Sequence, residues 1–255
     1  MYKRILIPIS NPKNAEYILK AAINMLDKDG ALVLLGVLLT RESFPDQTRS
    51  YRDKSKLVIH LTKLAQEQNV RVIPEVINAS SVRDAIIEQI ARHDVDLTIL
   101  GYSQRSPLYK IRYGDIIYPI MRDAPSEVIL SSLKNESAFK RILVPSAGYK
   151  HSLTAVKIAD ALVGSTAGDI TVLHITEENE SNIANDLEQL ALQYENVRVE
   201  VQTGPVVEQI IKIAKDYDAL IMGASERSRG ARVIFGTVVD KVIERAKSNV
   251  FIVRV

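Results

Sequence analysis

Glycine and arginine residues in one segment of the second half of the chain have the chemistry of an anion-binding site. The segment begins at Gly223, contains Gly230, and ends at Gly236 followed by Thr237. Its arginines are Arg227, Arg229 and Arg232. Glycine allows the backbone to turn sharply or to approach a ligand closely, and guanidinium groups bind phosphate through two parallel hydrogen bonds. The segment is therefore predicted to bind a phosphate group.

Residues that would carry catalysis or bind a metal form no recognisable pattern. The chain has no cysteine, which excludes a thiolate nucleophile, a disulfide and a cysteine-ligated metal. The histidines lack metal-binding spacing, and they are His60, His93, His151 and His174. His174 lies within an apolar run and is interpreted as a strand histidine. Neither a Walker loop nor a Gly-x-Gly-x-x-Gly fingerprint occurs. We therefore predict no catalytic residue and no metal site.

The chain contains two copies of one sequence pattern. The block Lys3–Pro8 (KRILIP) returns as Lys140–Pro145 (KRILVP), and Asp96–Gly101 (DLTILG) returns as Asp218–Gly223 (DALIMG). Repeated blocks at both ends of a unit indicate a duplicated domain. We predict two domains, residues 1–134 and residues 138–255. The first copy is the longer one, and its extra residues are predicted to form a polar loop within Arg41–Lys56.

Short continuous apolar runs alternate with segments of helical periodicity in both copies. The runs of the first copy are Ile5–Ile9, Leu32–Leu39, Val70–Ile77, Leu97–Leu100 and Val128–Leu130. Those of the second copy are Ile142–Val144, Ile170–Ile175, Val197–Val201, Ala219–Met222 and Val250–Val253. Such runs are typical of parallel strands that helices cover on both faces. The fold class is therefore α/β, with two Rossmann-like domains, each a five-stranded parallel sheet flanked by helices.

A doubly wound sheet binds its ligands beyond the carboxyl ends of its strands, where helices begin. In the second copy this rule selects the loop after the first strand and the loop after the fourth strand. The predicted site residues are Pro145, Ser146, Ala147, Met222, Gly223, Arg227, Arg229, Gly230, Gly236 and Thr237.

The loop after the fourth strand resembles the motif Gly-x-x-Gly-x9-Gly-Ser/Thr of the universal stress protein family. Gly223 and Gly236-Thr237 match the motif, while Glu226 stands in place of its second glycine. Together with the repeated opening blocks, this identifies the chain as similar to a tandem, UspA-like member. The resemblance implies an adenine nucleotide alpha hydrolase-like fold and an intramolecular pseudo-dimer packed through the last strands. Members with the full motif bind ATP, with the phosphates on the glycine loop.

The two copies depart from this motif to different extents. ATP-binding members carry an acidic residue after the first strand, where this chain has Ser10 and Ala147. In the first copy Gln104 replaces the second glycine and Asp115 replaces the hydroxyl residue. A carboxylate at a helix start accepts hydrogen bonds from the N–H groups there and repels phosphate. We therefore expect ATP or another adenine nucleotide in the second copy and none in the first.

Three classes of function fit these features. The first is a regulatory stress-response protein that binds an adenine nucleotide in its second domain. The second is an interaction protein without a nucleotide, such as a soluble regulatory partner of a membrane transporter. The third, a weak ATPase or nucleotidyltransferase, would need Glu226 or Asp240 as its acid. The sequence favours the first class and no enzymatic activity.

Charge and hydropathy limit the partners and the location. A net charge of +2 gives no field that would attract nucleic acid. No apolar stretch reaches the roughly 18 residues that a membrane-spanning helix needs. The absence of cysteine is typical of a reducing compartment, so we predict a cytoplasmic protein without membrane insertion. The composition is compatible with a protein partner and with a homodimer.

Overall fold

The computed structural model describes residues 1–9, 12–40, 44–102, 116–164, 168–176, 181–224 and 236–254. The chain divides into two compact units, Met1–Leu130 and Ser131–Val255. This division falls slightly before the interval between residues 134 and 138 at which the sequence places the domain boundary.

The first unit is a sheet of five strands with helices between them. Its strands are β1 (Tyr2–Pro8), β2 (Leu26–Leu39), β3 (Arg71–Ala79), β4 (Leu97–Gly101) and β5 (Glu127–Ser132). Its helices are α1 (Pro12–Met25), α2 (Phe44–Gln66), α3 (Val82–Arg92) and α4 (116–123). The strand order is β3-β2-β1-β4-β5. β1 is parallel to β2 and β4, and β2 is parallel to β3.

The second unit repeats this arrangement. Its strands are β6 (Arg141–Ser146), β7 (Asp169–Thr176), β8 (Val197–Thr203), β9 (Ala219–Ala224) and β10 (Asn249–Arg254). Its helices are α5 (Tyr149–Val163), α6 (Ser181–Ala191), α7 (Val206–Ile213) and α8 (Thr237–Arg245). The order β8-β7-β6-β9-β10 is equivalent to that of the first unit. β6 is parallel to β7 and to β9. β9 is parallel to β10, and β7 is parallel to β8. The predicted fold class is confirmed, and each predicted run coincides with a strand except at Ile9 and Val70, which lie one residue outside β1 and β3.

The central strands of the second unit are buried on both faces. Ile142, Leu143 and Val144 of β6 are fully buried, and so are Leu220 and Ile221 of β9. Burial of each such side chain stabilises the fold by about 1.5–3 kcal/mol. β8 lies at the end of the strand order and is only partly buried. An uninterrupted apolar run therefore marks a strand whose two faces are covered, whereas Arg198 and Glu200 interrupt the run of β8.

One element differs from the prediction. Residues 44–56, which the sequence analysis assigns to a polar loop, form the first part of the 23-residue helix α2. The equivalent helix of the second unit, α6, has 11 residues. Long charged side chains are compatible with the exposed face of a helix. Val58, Leu61 and Ala65 anchor the second half of α2, because they are buried at helical spacing. The extra residues of the first copy thus lengthen a helix.

An aspartate before the fourth strand holds the start of the first strand in both units. The carboxylate oxygen Oδ2 of Asp218 accepts hydrogen bonds from the backbone N–H groups of Lys140 and Arg141, each at 2.9 Å. Asp96 accepts the equivalent bonds from Lys3 at 2.7 Å and from Arg4 at 3.0 Å. This contact explains why the aspartate recurs together with the Lys-Arg block. It fixes where the first and fourth strands begin relative to each other.

No helix among the described residues has the length and apolar composition needed to cross a membrane.

Substitution of Asp218 tests this contact. Asp218→Ala removes the acceptor of two backbone N–H groups, and it is expected to lower the free energy of unfolding by about 1–2 kcal/mol in urea denaturation. The matched control is Asp216→Ala, at an exposed position two residues earlier, which should change stability by less than about 0.5 kcal/mol. Equal effects of the two substitutions would contradict a structural role for Asp218.

Candidate functional site

A cavity of about 510 Å³ lies in the second unit, at the carboxyl ends of β6, β7 and β9. Strand ends and the loop after β6 contribute Pro145, Ser146, Ala147, Leu173, Ile175, Met222 and Gly223. Helix α7 contributes Val206 and Ile210, and Gly236 together with the first turn of α8 contributes the rest, Thr237, Val238 and Val239. The cavity thus has a mainly apolar wall, and both α7 and α8 begin at its edge.

The parallel pairing of the strands places these residues together. In the register of β6 with β7, Pro145 pairs with Leu173 and Ser146 with His174. Parallel strands end at the same edge of a sheet, and the chain turns there into the following helix. The loop after β6 and the end of β9 therefore lie on either side of one crevice.

Most of the predicted site residues border this cavity. Those that do are Pro145, Ser146, Ala147, Met222, Gly223, Gly236 and Thr237. Arg227, Arg229 and Gly230 lie outside the described residues. The role of these residues in binding a nucleotide stays a prediction.

Six apolar residues of the wall are not among the predicted site residues: Leu173, Ile175, Val206, Ile210, Val238 and Val239. The strand-end rule could have identified Leu173 and Ile175, since they end the second apolar run of this copy. Val206 and Ile210 lie four residues apart and share a face of α7. Their side chains carry no chemical signal that distinguishes a cavity wall from a core.

The start of α8 is open towards the cavity. Gly236 precedes the helix with φ +108°, a conformation that residues other than glycine disfavour, and it has no side chain that could cap this end. A Cβ atom built on Gly236 would meet nothing within 4 Å, so backbone conformation is what requires glycine here. A helix start carries a partial positive charge and unpaired N–H groups. This end of the cavity is therefore suited to an anion.

Contacts at the opposite end of α8 hold the helix in place. Arg245 donates to Glu208 of α7 at 3.0 Å, and this hydrogen bond lowers the pKa of the Glu208 carboxyl below its usual value. The Lys134 ammonium donates to the carbonyl oxygens of Ile243 and Ala246, while burial lowers its pKa. The hydrogen bond between Arg245 and Glu208 thus joins α8 to α7, the two helices that line the cavity.

The loop between β6 and α5 is closed by a cluster of hydroxyl contacts, which we call the serine clasp (Ser146, Gly148, Ser152). The Gly148 N–H donates to Ser146 Oγ at 3.1 Å. Ser152 Oγ donates to the Gly148 carbonyl at 2.8 Å, and the two serine hydroxyls also contact each other. The clasp satisfies these polar groups within the loop.

His174 supports this loop from β7. Its Nδ1 lies 3.2 Å from the carbonyl oxygen of Ser146, and its side chain is buried. A carbonyl oxygen only accepts, so Nδ1 carries the proton in this contact. The interpretation of His174 as a strand histidine agrees with this backbone contact.

The described part of the cavity wall contains no ionisable side chain. Asp240 lies in the first turn of α8 and is not among the lining residues. Glu226, Arg227, Arg229 and Arg232 lie outside the described residues. In the described ranges, no three side chains of the metal-binding types come together as a ligand group.

In the first unit the glycine equivalent to Gly223 is Gly101. A Cβ atom built on Gly101 would lie 3.0 Å from Cδ1 of Ile18. The positions at which the first copy departs from the motif, Ser10, Gln104 and Asp115, lie outside the described residues. The expectation that the first copy binds no nucleotide stays a prediction.

The serine clasp should contribute measurably to stability. Ser152 is buried, and Ser152→Ala removes one donor to the Gly148 carbonyl together with the contact to Ser146. We expect the free energy of unfolding to fall by about 1–2 kcal/mol in urea denaturation. Thr154→Ala on the same helix is the control and should change stability by less than about 0.5 kcal/mol. A wild-type stability of Ser152→Ala would rule out this role of the clasp.

Comparison with known proteins agrees with the duplicated fold. A universal stress protein family model matches residues 1–131 and 179–254. Universal stress protein MJ0577 of Methanocaldococcus jannaschii is 25% identical in an alignment 159 residues long, which covers 56% of this chain and 96% of that protein. The unmatched residues 132–178 include β6, α5 and β7, whose order and pairing repeat those of β1, α1 and β2.

Solved structures share the fold over almost the whole chain. A universal stress protein from Archaeoglobus fulgidus has a TM-score of 0.72 and 18% identity, and the alignment covers 98% of this chain and 96% of that one. The cytoplasmic domain of a prokaryotic cation chloride cotransporter has a TM-score of 0.64 and 14% identity, with 99% and 95% of the two chains covered. At these identities the likeness concerns the fold. The family match over most of the sequence shows that the chain belongs to the universal stress protein family, as a tandem member with two such domains.

Proposed function

We propose that this chain is a non-catalytic regulatory protein that binds ATP or a related adenine nucleotide in the cavity of its second domain. The observation that carries the proposal is the uncapped start of α8, at Gly236, on the edge of an otherwise apolar cavity. An anionic group and a flat apolar body are the two parts of a ligand that such a site would accept.

The phosphates are assigned to the start of α8. Unpaired N–H groups and the partial charge of the helix stabilise an anion there, and the hydroxyl of Thr237 adds a donor. The loop that joins β9 to α8 carries Arg227, Arg229 and Arg232 in the sequence. These arginines would neutralise the phosphate charge that the helix start alone cannot balance.

The base is assigned to the apolar part of the cavity. Leu173, Ile175 and Met222 offer surface on which an aromatic ring can pack, and Ala147 adds a small side chain at the rim. The volume of about 510 Å³ lies within the range of about 300–1,000 Å³ that is usual for small-molecule sites.

The described wall of the cavity favours a protein that binds the nucleotide without hydrolysing it or transferring its phosphate. Phosphoryl transfer needs a group that positions or activates the nucleophile, commonly with a metal ion. The lining side chains that the structure describes offer only the hydroxyls of Ser146 and Thr237 as polar groups. A regulatory protein would bind the nucleotide and pass its state to a protein partner or to a second copy of itself. We place it in the cytoplasm because the chain lacks cysteine.

A second candidate is a regulatory partner of a membrane transporter that needs no nucleotide. It is favoured by the shared fold with the cytoplasmic domain of a cation chloride cotransporter. The two candidates differ in one measurable property, the affinity of the isolated chain for ATP.

Titration calorimetry with ATP tests the proposal. We expect about one molecule per chain, because the first copy carries Asp115 at the helix start where the second has Thr237. Gly236→Val should abolish binding, since a branched side chain disfavours φ +108° and would occupy the space in front of the N–H groups.

The matched control is Gly164→Val. Gly164 also has positive φ, at +51°, but it ends α5 on the side away from the loop that borders the cavity. The control should lose stability and keep its affinity for ATP. Wild-type protein that does not bind millimolar ATP, an unchanged Gly236→Val isotherm, or two equal sites per chain would each refute the proposal.

A further inference from the structure

Equivalent helices of the two domains carry opposite charge. Helix α2 of the first domain has five basic and two acidic side chains. The segment 181–195, which contains α6 of the second domain, has three acidic residues and no basic one. Both helices connect the second strand of their unit to the third. One chain therefore carries a cationic and an anionic version of the same element of the repeat.

The cationic helix has an apolar side chain between two of its lysines, and we call this group the lysine patch (Lys56, Ile59, Lys63). Residues three and four positions apart share one face of a helix. All three side chains are exposed, Ile59 to 57%, whereas Val58 and Ala65 are buried on the opposite side of α2. The patch thus presents a large apolar side chain to solvent with a cation on either side.

The anionic segment has the same layout, and we call its group the glutamate patch (Glu188, Leu192, Glu195). The Leu192 N–H donates to the Glu188 carbonyl at 3.0 Å, which continues the last turn of α6 beyond Ala191. Glu195 follows three residues later, and all three side chains are exposed. At 78%, Leu192 is the most exposed large apolar side chain in the described part of the chain.

The two patches are complementary in both charge and polarity. Protein interfaces commonly have an apolar centre and a polar rim, and opposite charges on two surfaces guide their encounter and fix their register. A single exposed isoleucine or leucine would need no partner. An anionic membrane or a nucleic acid would match the lysine patch alone. A second copy of the chain matches both patches, since it carries the counterpart of each.

We propose that copies of this chain associate weakly, with the lysine patch of one packed against the glutamate patch of another. Ile59 and Leu192 meet at the centre of this contact, and the lysines lie opposite the glutamates. The contact joins two different surfaces, so every chain offers one patch of each kind to its neighbours. A contact of this size is typical of weak, reversible complexes. The inference goes beyond the proposed function and does not depend on a nucleotide.

Sedimentation velocity of the full chain at increasing concentration is the direct test. At about 50 mM salt we expect the average mass to rise above the 28.4 kDa of one chain as the concentration approaches about 200 μM. It should return to that of one chain at about 500 mM salt, because salt screens the charges. A wild-type chain that stays monomeric at low salt overturns the proposal, and so does an association that salt does not weaken.

Charge reversal identifies the two surfaces. The double variants Lys56→Glu/Lys63→Glu and Glu188→Lys/Glu195→Lys should each weaken self-association at least about tenfold, since each places like charges opposite one another. An equimolar mixture of the two variants should associate again, because each reversed patch then meets a complementary one. A mixture that stays monomeric while both variants keep the wild-type melting temperature overturns the proposal.

The matched control is Lys212→Glu/Lys215→Glu. These two lysines are exposed and lie outside both patches, and the double substitution changes the net charge as much as reversal of the lysine patch does. It should keep the association of the wild-type chain. Equal loss in the control, or loss after reversal of only one of the two patches, overturns the proposal. The salt dependence of the wild-type chain decides the question even if a variant does not fold.

Discussion

In each domain, one aspartate before the fourth strand accepts hydrogen bonds from two N–H groups at the start of the first strand. These bonds set the alignment of the two central strands. In the second domain the alignment fixes where β6 and β9 end, and the cavity lies between those ends. The position of the site, at the carboxyl ends of the strands, therefore depends on a contact at their amino-terminal ends.

Three helices begin near the sheet end that carries the cavity, and the residues before α5, α7 and α8 make no side-chain cap hydrogen bond. At the start of α5, Ser146 and Ser152 satisfy the polar groups of Gly148. Gly236 and Thr237 at the start of α8 border the cavity, and this position is the reason for proposing that the anionic end of a ligand binds there.

The sequence predicts the fold better than it predicts the wall of the site. Continuous apolar runs locate the strands because a strand that is buried on both faces is apolar at successive positions, without alternating polar residues. The sequence predicts a polar loop within Arg41–Lys56, but residues 44–56 form the first part of helix α2 because its anchoring residues Val58, Leu61 and Ala65 follow later in the chain. Pattern alone does not show that an exposed polar stretch continues into an anchored helix.

Within the site, the glycines and strand-end residues were predictable because turns and close approach require particular residue types. Val206 and Ile210 of α7 were not, since an apolar side chain at a cavity wall has the same sequence signature as one in the core. The engagement of Ser146 was also beyond sequence reasoning. It depends on Ser152, which only the turn into α5 brings within hydrogen-bonding distance.

We propose that a nucleotide binds with its phosphates at the start of α8, and amide chemical shifts measured by two-dimensional NMR during titration with ATP test this placement. We expect the amides of Gly236 and Thr237 to shift together and saturate, while the amide of Gly101 in the first domain does not change. Saturating shifts elsewhere in the chain, with Gly236 and Thr237 unaffected, would contradict it.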